Sequence, residues 1–280
     1  MTDQERQELL ETIRNFRLID DTYFNIYMDG NPRDMEFILR IIENDPGLQV
    51  IDLYTQREVP SLYGRGVRFD VFVKSAAGVE YNIEIQRDSN GASPERARFN
   101  SSMLDARVVQ KGFKWGKDHL PPAKVIFITE HDTEGAGKPL YHVHRYVDEL
   151  NKKPFKDQAE IVYVNASYQD DSPLGRLMHD MNCKNPDDMY YPELAARANY
   201  FKTNEHGVSQ MCKAMEDLVN DMSKERVEQA RIEARMETEQ NTILRLLADG
   251  AGIPLMATAS GWSIERVTNF LKSRNLRPAQ

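Results

Sequence analysis

The chain is poor in cysteine, in long apolar runs and in excess positive charge, and each shortage removes a class of protein. Only Cys183 and Cys212 occur in 280 residues, too few for a disulfide framework and in keeping with a reducing cytoplasm. No apolar run approaches the ~18 residues that a membrane span requires. The N-terminal stretch MTDQERQELLETIRNF is too charged for a secretory leader, so no membrane partner is expected. Acids outnumber bases by 44 to 36, for a net charge of −8. Tight free-standing DNA binders gain affinity from Lys and Arg that neutralise phosphates, so this balance disfavours that class. It does not exclude a metal-dependent nuclease, whose own site acids lower the charge, but it counts against that reading. The content of 40% hydrophobic and 29% charged residues is that of an ordinary globular protein, long enough for one large domain or a domain with an appendage.

The most informative stretch is Val67–Gln86, VRFDVFVKSAAGVEYNIEIQ. Val67–Lys74 and Val79–Gln86 both alternate with strand period. The intervening Ser75-Ala76-Ala77-Gly78 suits a short hairpin loop that ends in a left-handed glycine. Centring the turn on Ala77 places Asp70 opposite Glu84 and Arg68 opposite Gln86, and a bulge would slip this by one residue. Facing carboxylates on neighbouring strands repel. Two readings follow: a solvated face neutralised by Arg68, Lys74 and Arg87, or a cation site. In the second, Asp70, Glu84 and the backbone carbonyl of Ile85 supply hard oxygen ligands suited to Mg²⁺ or Mn²⁺.

FDVFVK…YNIEIQ resembles the active-site hairpin of the PD-(D/E)XK nuclease superfamily, in the branch of nuclease family transposases and Rpn-type recombination-promoting nucleases. The resemblance puts the family's metal-binding acids on Asp70 and Glu84. It puts the third motif position on Gln86, where most of the superfamily has lysine; a neutral amide can orient the attacking water but carries no charge. Near the N-terminus, Asp21 and Phe24 match a D-x-x-F-K segment of the family, with Asn25 in the place of lysine. Asp21 is thus either an additional site acid or, with Asp20, the cap of a short helix. After the hairpin, RARFNSS resembles the family's arginine-bearing helix. There Arg96 and Arg98 become candidate DNA phosphate contacts, since a guanidinium grips phosphate bidentately. Arg65, between Gly64 and Gly66, is a further candidate contact or part of a plain turn.

Periodicity supplies the frame. Residues 3–16 and Asp34–Asn44 read as helices and Leu48–Tyr54 as a strand, with 58–63 a loop or short continuation. The hairpin follows, then a helix from a Ser93 cap and Pro94 to Gly112, and a buried strand Lys124–Thr129. This αβββαβ order is the restriction-endonuclease-like α/β core that the resemblance implies. Residues 160–167 add a strand and Ser172–Met181 a short helix. His142 and His144 alternate on one strand face, but no third metal ligand stands at an obvious spacing. His179, Cys183, His206 and Cys212 have the composition of a zinc site without its spacing. The expected organisation is a nuclease-like core over 1–170, a helical extension over 171–214, a long charged helix over 215–248 and a helix-turn-helix-like tail over 249–280. The last three make a mostly helical C-terminal extension, offering a surface for homo-oligomerisation. The expected activity is Mg²⁺- or Mn²⁺-dependent hydrolysis of DNA phosphodiester bonds. The competing expectation is a non-catalytic regulator that keeps the fold and works through its C-terminal helices.

Overall fold

A computed structural model describes residues 3–59, 67–109 and 112–276. The chain divides into two compact units, Met1–Ala214 and Met215–Gln280.

The first unit begins with three helices, α1 (Asp3–Asn15), α2 (Asp21–Met28) and α3 (Pro32–Ile42). Asn31 caps α3 by accepting the Asp34 N–H, Pro32 takes the first helical position, and the i, i+3, i+4, i+7 set Met35, Ile38, Leu39 and Ile42 is buried. Asp20 occupies the cap position of α2, but its side chain makes no capping bond. Its carboxylate accepts the Arg17 N–H at 2.7 Å instead.

The strands β1 (Val50–Val59), β2 (Val67–Ser75) and β3 (Glu80–Gln86) form an antiparallel meander. β1 is longer than its apolar pattern suggests, because pairing with β2 carries it to Val59. Helix α4 (Pro94–Val108) crosses over to β4 (Ala123–Thr129), which lies parallel to β3. After β5 (Leu140–Val143), a two-stranded ribbon of β6 (Tyr146–Val147) and β7 (Lys153–Pro154) precedes β8 (Ala159–Asn165), itself parallel to β4. The six-stranded sheet has the order β1-β2-β3-β4-β8-β5, with β5 antiparallel to β8 at one edge. The central strand β4 is covered on both faces: Val125, Ile126, Phe127 and Ile128 are all fully buried, which accounts for its unbroken apolar run. Helices α5 (Pro173–Asn182) and α6 (Pro192–Thr203) follow in the same unit. This is the mixed α/β architecture with a restriction-endonuclease-like core and a helical C-terminal region.

Helix α7 (Glu205–Ala248) starts ten residues earlier than its charged tract, so the division between the units falls inside it. In the second unit, α8 (Ile253–Ser260) and α9 (Ile264–Ser273) flank Gly261, whose φ of 72° places it in the left-handed region that glycine tolerates. They pack Met256, Trp262, Val267 and Leu271 with Ile243 of α7. Arg266, the basic side chain at the start of α9, is stacked on Trp262 at 3.9 Å from the ring centre.

Candidate active site

The β2–β3 hairpin has the register that its turn dictates. Val71 pairs with Ile83, Phe72 with Asn82, Val73 with Tyr81 and Lys74 with Glu80. Gly78 sits at φ 80° and donates its N–H to Ser75 O, while Ser75 donates to Val79 O at 2.9 Å. The ladder stops at Val71–Ile83, so Asp70 lies one step beyond it, level with Glu84. At that point the Asp70 carboxylate replaces a backbone partner: Ile85 N–H donates to Asp70 Oδ2 at 3.2 Å.

Glu84 is fully buried. Its Oε2 accepts a hydrogen bond from Arg96 Nη2 at 2.6 Å, while its Oε1 is buried with no partner. Burial, then the neighbouring Asp70 charge, push the Glu84 carboxyl above the usual carboxylate range, with Arg96, the Asn82 side chain and the Asp70 backbone N–H opposing them. Asp70 is raised too, mainly by burial. The Ile85 N–H and the Asn25 side chain stabilise its anion, whereas Asp21 adds repulsion. Two acids thus share one place with one guanidinium. A polar atom orphaned in the interior costs about 1–3 kcal/mol, and here it is a carboxylate oxygen beside a second carboxylate. The donor set is hard oxygen, the coordination chemistry of Mg²⁺ or Mn²⁺, and it fits a divalent ion.

Arg96 reaches the site because Ser93 accepts its backbone N–H at 3.3 Å and Pro94 opens α4, fixing it in the first turn. The resemblance makes it a candidate phosphate contact. Its guanidinium turns inward instead, bonding Glu84, Gln86 Oε1 at 2.8 Å and Gly91 O at 2.8 Å. Gly91 is glycine for a steric reason, since a Cβ there would lie 2.1 Å from the Gln86 amide carbon. Gln86 is therefore clamped between the Gly91 backbone and Arg96. Arg98 is exposed on α4. Arg65 lies outside the described residues.

Asp21 is the exposed first residue of α2, and its Oδ1 accepts the Thr22 N–H. Among the described residues it does not join Asp70 and Glu84 in a set of three mutually close ligand atoms. The polar residue of α2 that does contact Asp70 is Asn25, which is buried. Sequence reasoning passed over it as a departure from a lysine, although an amide followed by apolar positions in a short buried helix was a usable signal. Arg87 does not neutralise the two site acids by a direct pair. It bridges Asp20 at 2.9 Å and Glu130 at 2.8 Å, and Arg17 bridges the same two acids at 3.4 and 2.8 Å. This closed ring ties the α1–α2 link to the ends of β3 and β4.

With this geometry in place, the comparisons decide the family. Residues 35–172 match the family model of the PD-(D/E)XK nuclease family transposase. This span of the chain belongs to that family. The PD-(D/E)XK match contains the whole hairpin, α4 and all eight strands of the described sheet and ribbon, and it supports a nuclease-type, transposase-related function. Comparison with curated proteins and with solved structures found no match. No helix among the described residues is long and apolar enough to cross a membrane.

The histidine–cysteine tract does not gather. His179 and Cys183 lie together, 3.5 Å apart, with Asp180 beside them. The two Asp180 oxygens already accept the Tyr190 and Tyr191 N–H groups at 2.8 Å each, and burial raises the Cys183 thiol to about 11. His206 and Cys212 do not join this set among the described residues.

Proposed function

We propose that the chain is a Mg²⁺- or Mn²⁺-dependent DNA endonuclease that hydrolyses phosphodiester bonds in the service of a mobile element or of recombination. The observation that carries this reading is the buried, unpartnered Glu84 oxygen beside Asp70 at the mouth of the hairpin. Asp70, Glu84 and the Ile85 carbonyl would hold the ion, with Asp21 near enough to add charge. When bound, the ion supplies Lewis acidity to the scissile phosphate and lowers the pKa of a water.

The chain's own groups do the positioning. Gln86 carries no titratable proton, so its part is to orient water through an amide that Arg96 and Gly91 hold still. Arg96 compensates Glu84 in the absence of the ion. Its side chain, 40% exposed, has a free edge to turn to a phosphate once Glu84 has another cation. Arg98 is a further phosphate contact on α4, and Arg65 is proposed from its sequence setting alone. Homo-oligomerisation through the C-terminal helices would present two such sites to one DNA.

Nicking of supercoiled plasmid with Mg²⁺ or Mn²⁺, against a chelator control, tests the proposal. Asp70→Ala and Glu84→Ala should each abolish nicking, and activity persisting in both would overturn it. A second reading, a non-catalytic regulator on the nuclease fold, is favoured by Gln86 in the lysine position and by Arg96 closing on Glu84. Calorimetric titration separates the two, since saturable Mg²⁺ or Mn²⁺ binding that disappears in Glu84→Ala belongs to the first.

A further inference from the structure

A second ligand set lies at the opposite edge of the sheet. β5 and β8 pair with His142 opposite Val162 and Val143 opposite Ile161, so one residue further His144 falls opposite Glu160. His142 and His144 are two apart and share a face, with ring planes within 2° of parallel and centroids 6.2 Å apart. Glu160 Oε1 lies 2.8 Å from His142 Nδ1 and 3.4 Å from His144 Nε2, and the three donor atoms are all within 4.8 Å of one another. Two ligand atoms at zinc distance and at tetrahedral angles to each other are ~3.3 Å apart. Two of the separations here are already close to that.

The surroundings suit a ligand shell. Glu160 is mostly buried and its other oxygen is held by Lys124 Nζ at 3.0 Å, which leaves Oε1 to the imidazoles. Such outer partners orient a ligating carboxylate. Lys124 also pairs with Glu43, so its charge is offset before any ion arrives. Both imidazoles are nearly half exposed and leave one side open to water as a further ligand. Imidazole nitrogens select borderline ions such as Zn²⁺, Co²⁺ or Ni²⁺ over Mg²⁺, unlike the all-oxygen hairpin.

We propose that His142, His144 and Glu160 bind a borderline divalent transition ion, Zn²⁺ in the first instance, which staples the short edge strand β5 to β8. The site lies at the far end of the sheet from Asp70 and Glu84, and its ion takes no part in phosphodiester chemistry. Closing an edge strand in this way also protects it from pairing with other chains.

The test is titration of ZnCl₂ into the full chain carrying Asp70→Asn and Glu84→Gln, which silences the hairpin acids. The expected result is one saturable equivalent of Zn²⁺, with at least tenfold weaker binding when His144→Ala or Glu160→Gln is added. Co²⁺ should give a visible absorption band in the parent that is lost with His142→Ala. Zn²⁺ should also raise the melting temperature of the parent but not of the histidine variants. Melts in EDTA establish that the variants are folded. Absence of saturable binding, or binding indifferent to all three substitutions, overturns the proposal. A Zn²⁺ equivalent seen in the unsubstituted chain but absent from this parent also overturns it, by assigning the ion to the hairpin acids.

Discussion

Two glutamates on the same strand make an instructive pair. Glu80 and Glu84 are both buried on β3, point to the same face and each meet an arginine from α4: Arg107 for Glu80 and Arg96 for Glu84. The match is geometric. Eleven helical residues rise about 16 Å and four strand residues about 13 Å, so α4 running back along β3 presents its arginines near both acids. Around Glu80 the charges find counterions: Arg107, stacked over Phe72 at 4.6 Å, pairs with it, and Arg145 opposes the nearby half-buried Asp105. Around Glu84 they do not, because Asp70 adds a second carboxylate to a single guanidinium and one Glu84 oxygen is left without a partner. A buried ion pair is thus an ordinary structural device, and the surplus acid beside it is what makes a cation site.

The largest expected effect breaks the comparison on the side of function. Asp70→Ala or Glu84→Ala should lower plasmid nicking by on the order of 10³-fold, the loss of about 4 kcal/mol of transition-state stabilisation, with the protein still folded. Glu80→Gln should do the reverse. It leaves the half-buried Arg107 without its acid, so urea unfolding should show a loss of about 2 kcal/mol, while Mn²⁺ affinity at the hairpin stays within about twofold.

Acidity sharpens the contrast. The folded carboxyls of Asp70 and Glu84 hold their protons to higher pH than unfolded ones do. Between the unfolded and folded pKa values these two groups therefore bind more protons in the native state, and their contribution to ion-free stability falls as pH rises above ~4. Melting temperatures from pH 4 to 8 in EDTA should show that decline, Asp70→Asn/Glu84→Gln should flatten it, and Mn²⁺ should offset it at pH 8 but not near pH 4. The smallest effect concerns aim. Gly91→Ala would push the Gln86 amide off its seat and should lower nicking about tenfold, with Mn²⁺ affinity unchanged by calorimetry.

Local pattern carried far for the hairpin. The alternation of Val67–Lys74 and Val79–Gln86 with a positive-φ Gly78 suffices to put Asp70 level with Glu84, because a tight turn leaves the pairing little freedom. Ser93 and Pro94 likewise announce the start of α4. The direction of Arg96 was not legible: whether a guanidinium faces solvent or a buried acid depends on which strand lies under its helix. The charge ring of Arg17, Asp20, Arg87 and Glu130 joins residues more than a hundred positions apart, and its acid Asp20 looked locally like nothing more than a cap. Asn25 reads as a lost lysine until α2 is laid against Asp70.

Sequence alone determined the αβββαβ order, the hairpin register and the presence of two acids across one turn, since each follows from periodicity and turn stereochemistry over a few neighbouring residues. Tertiary structure alone decided which charges are shielded and which remain in surplus. It also decided that Glu160 completes what His142 and His144 begin. Partners so distant in the chain meet only when strands pair and helices pack, and burial, which sets the energy of every charge, does not exist before that happens.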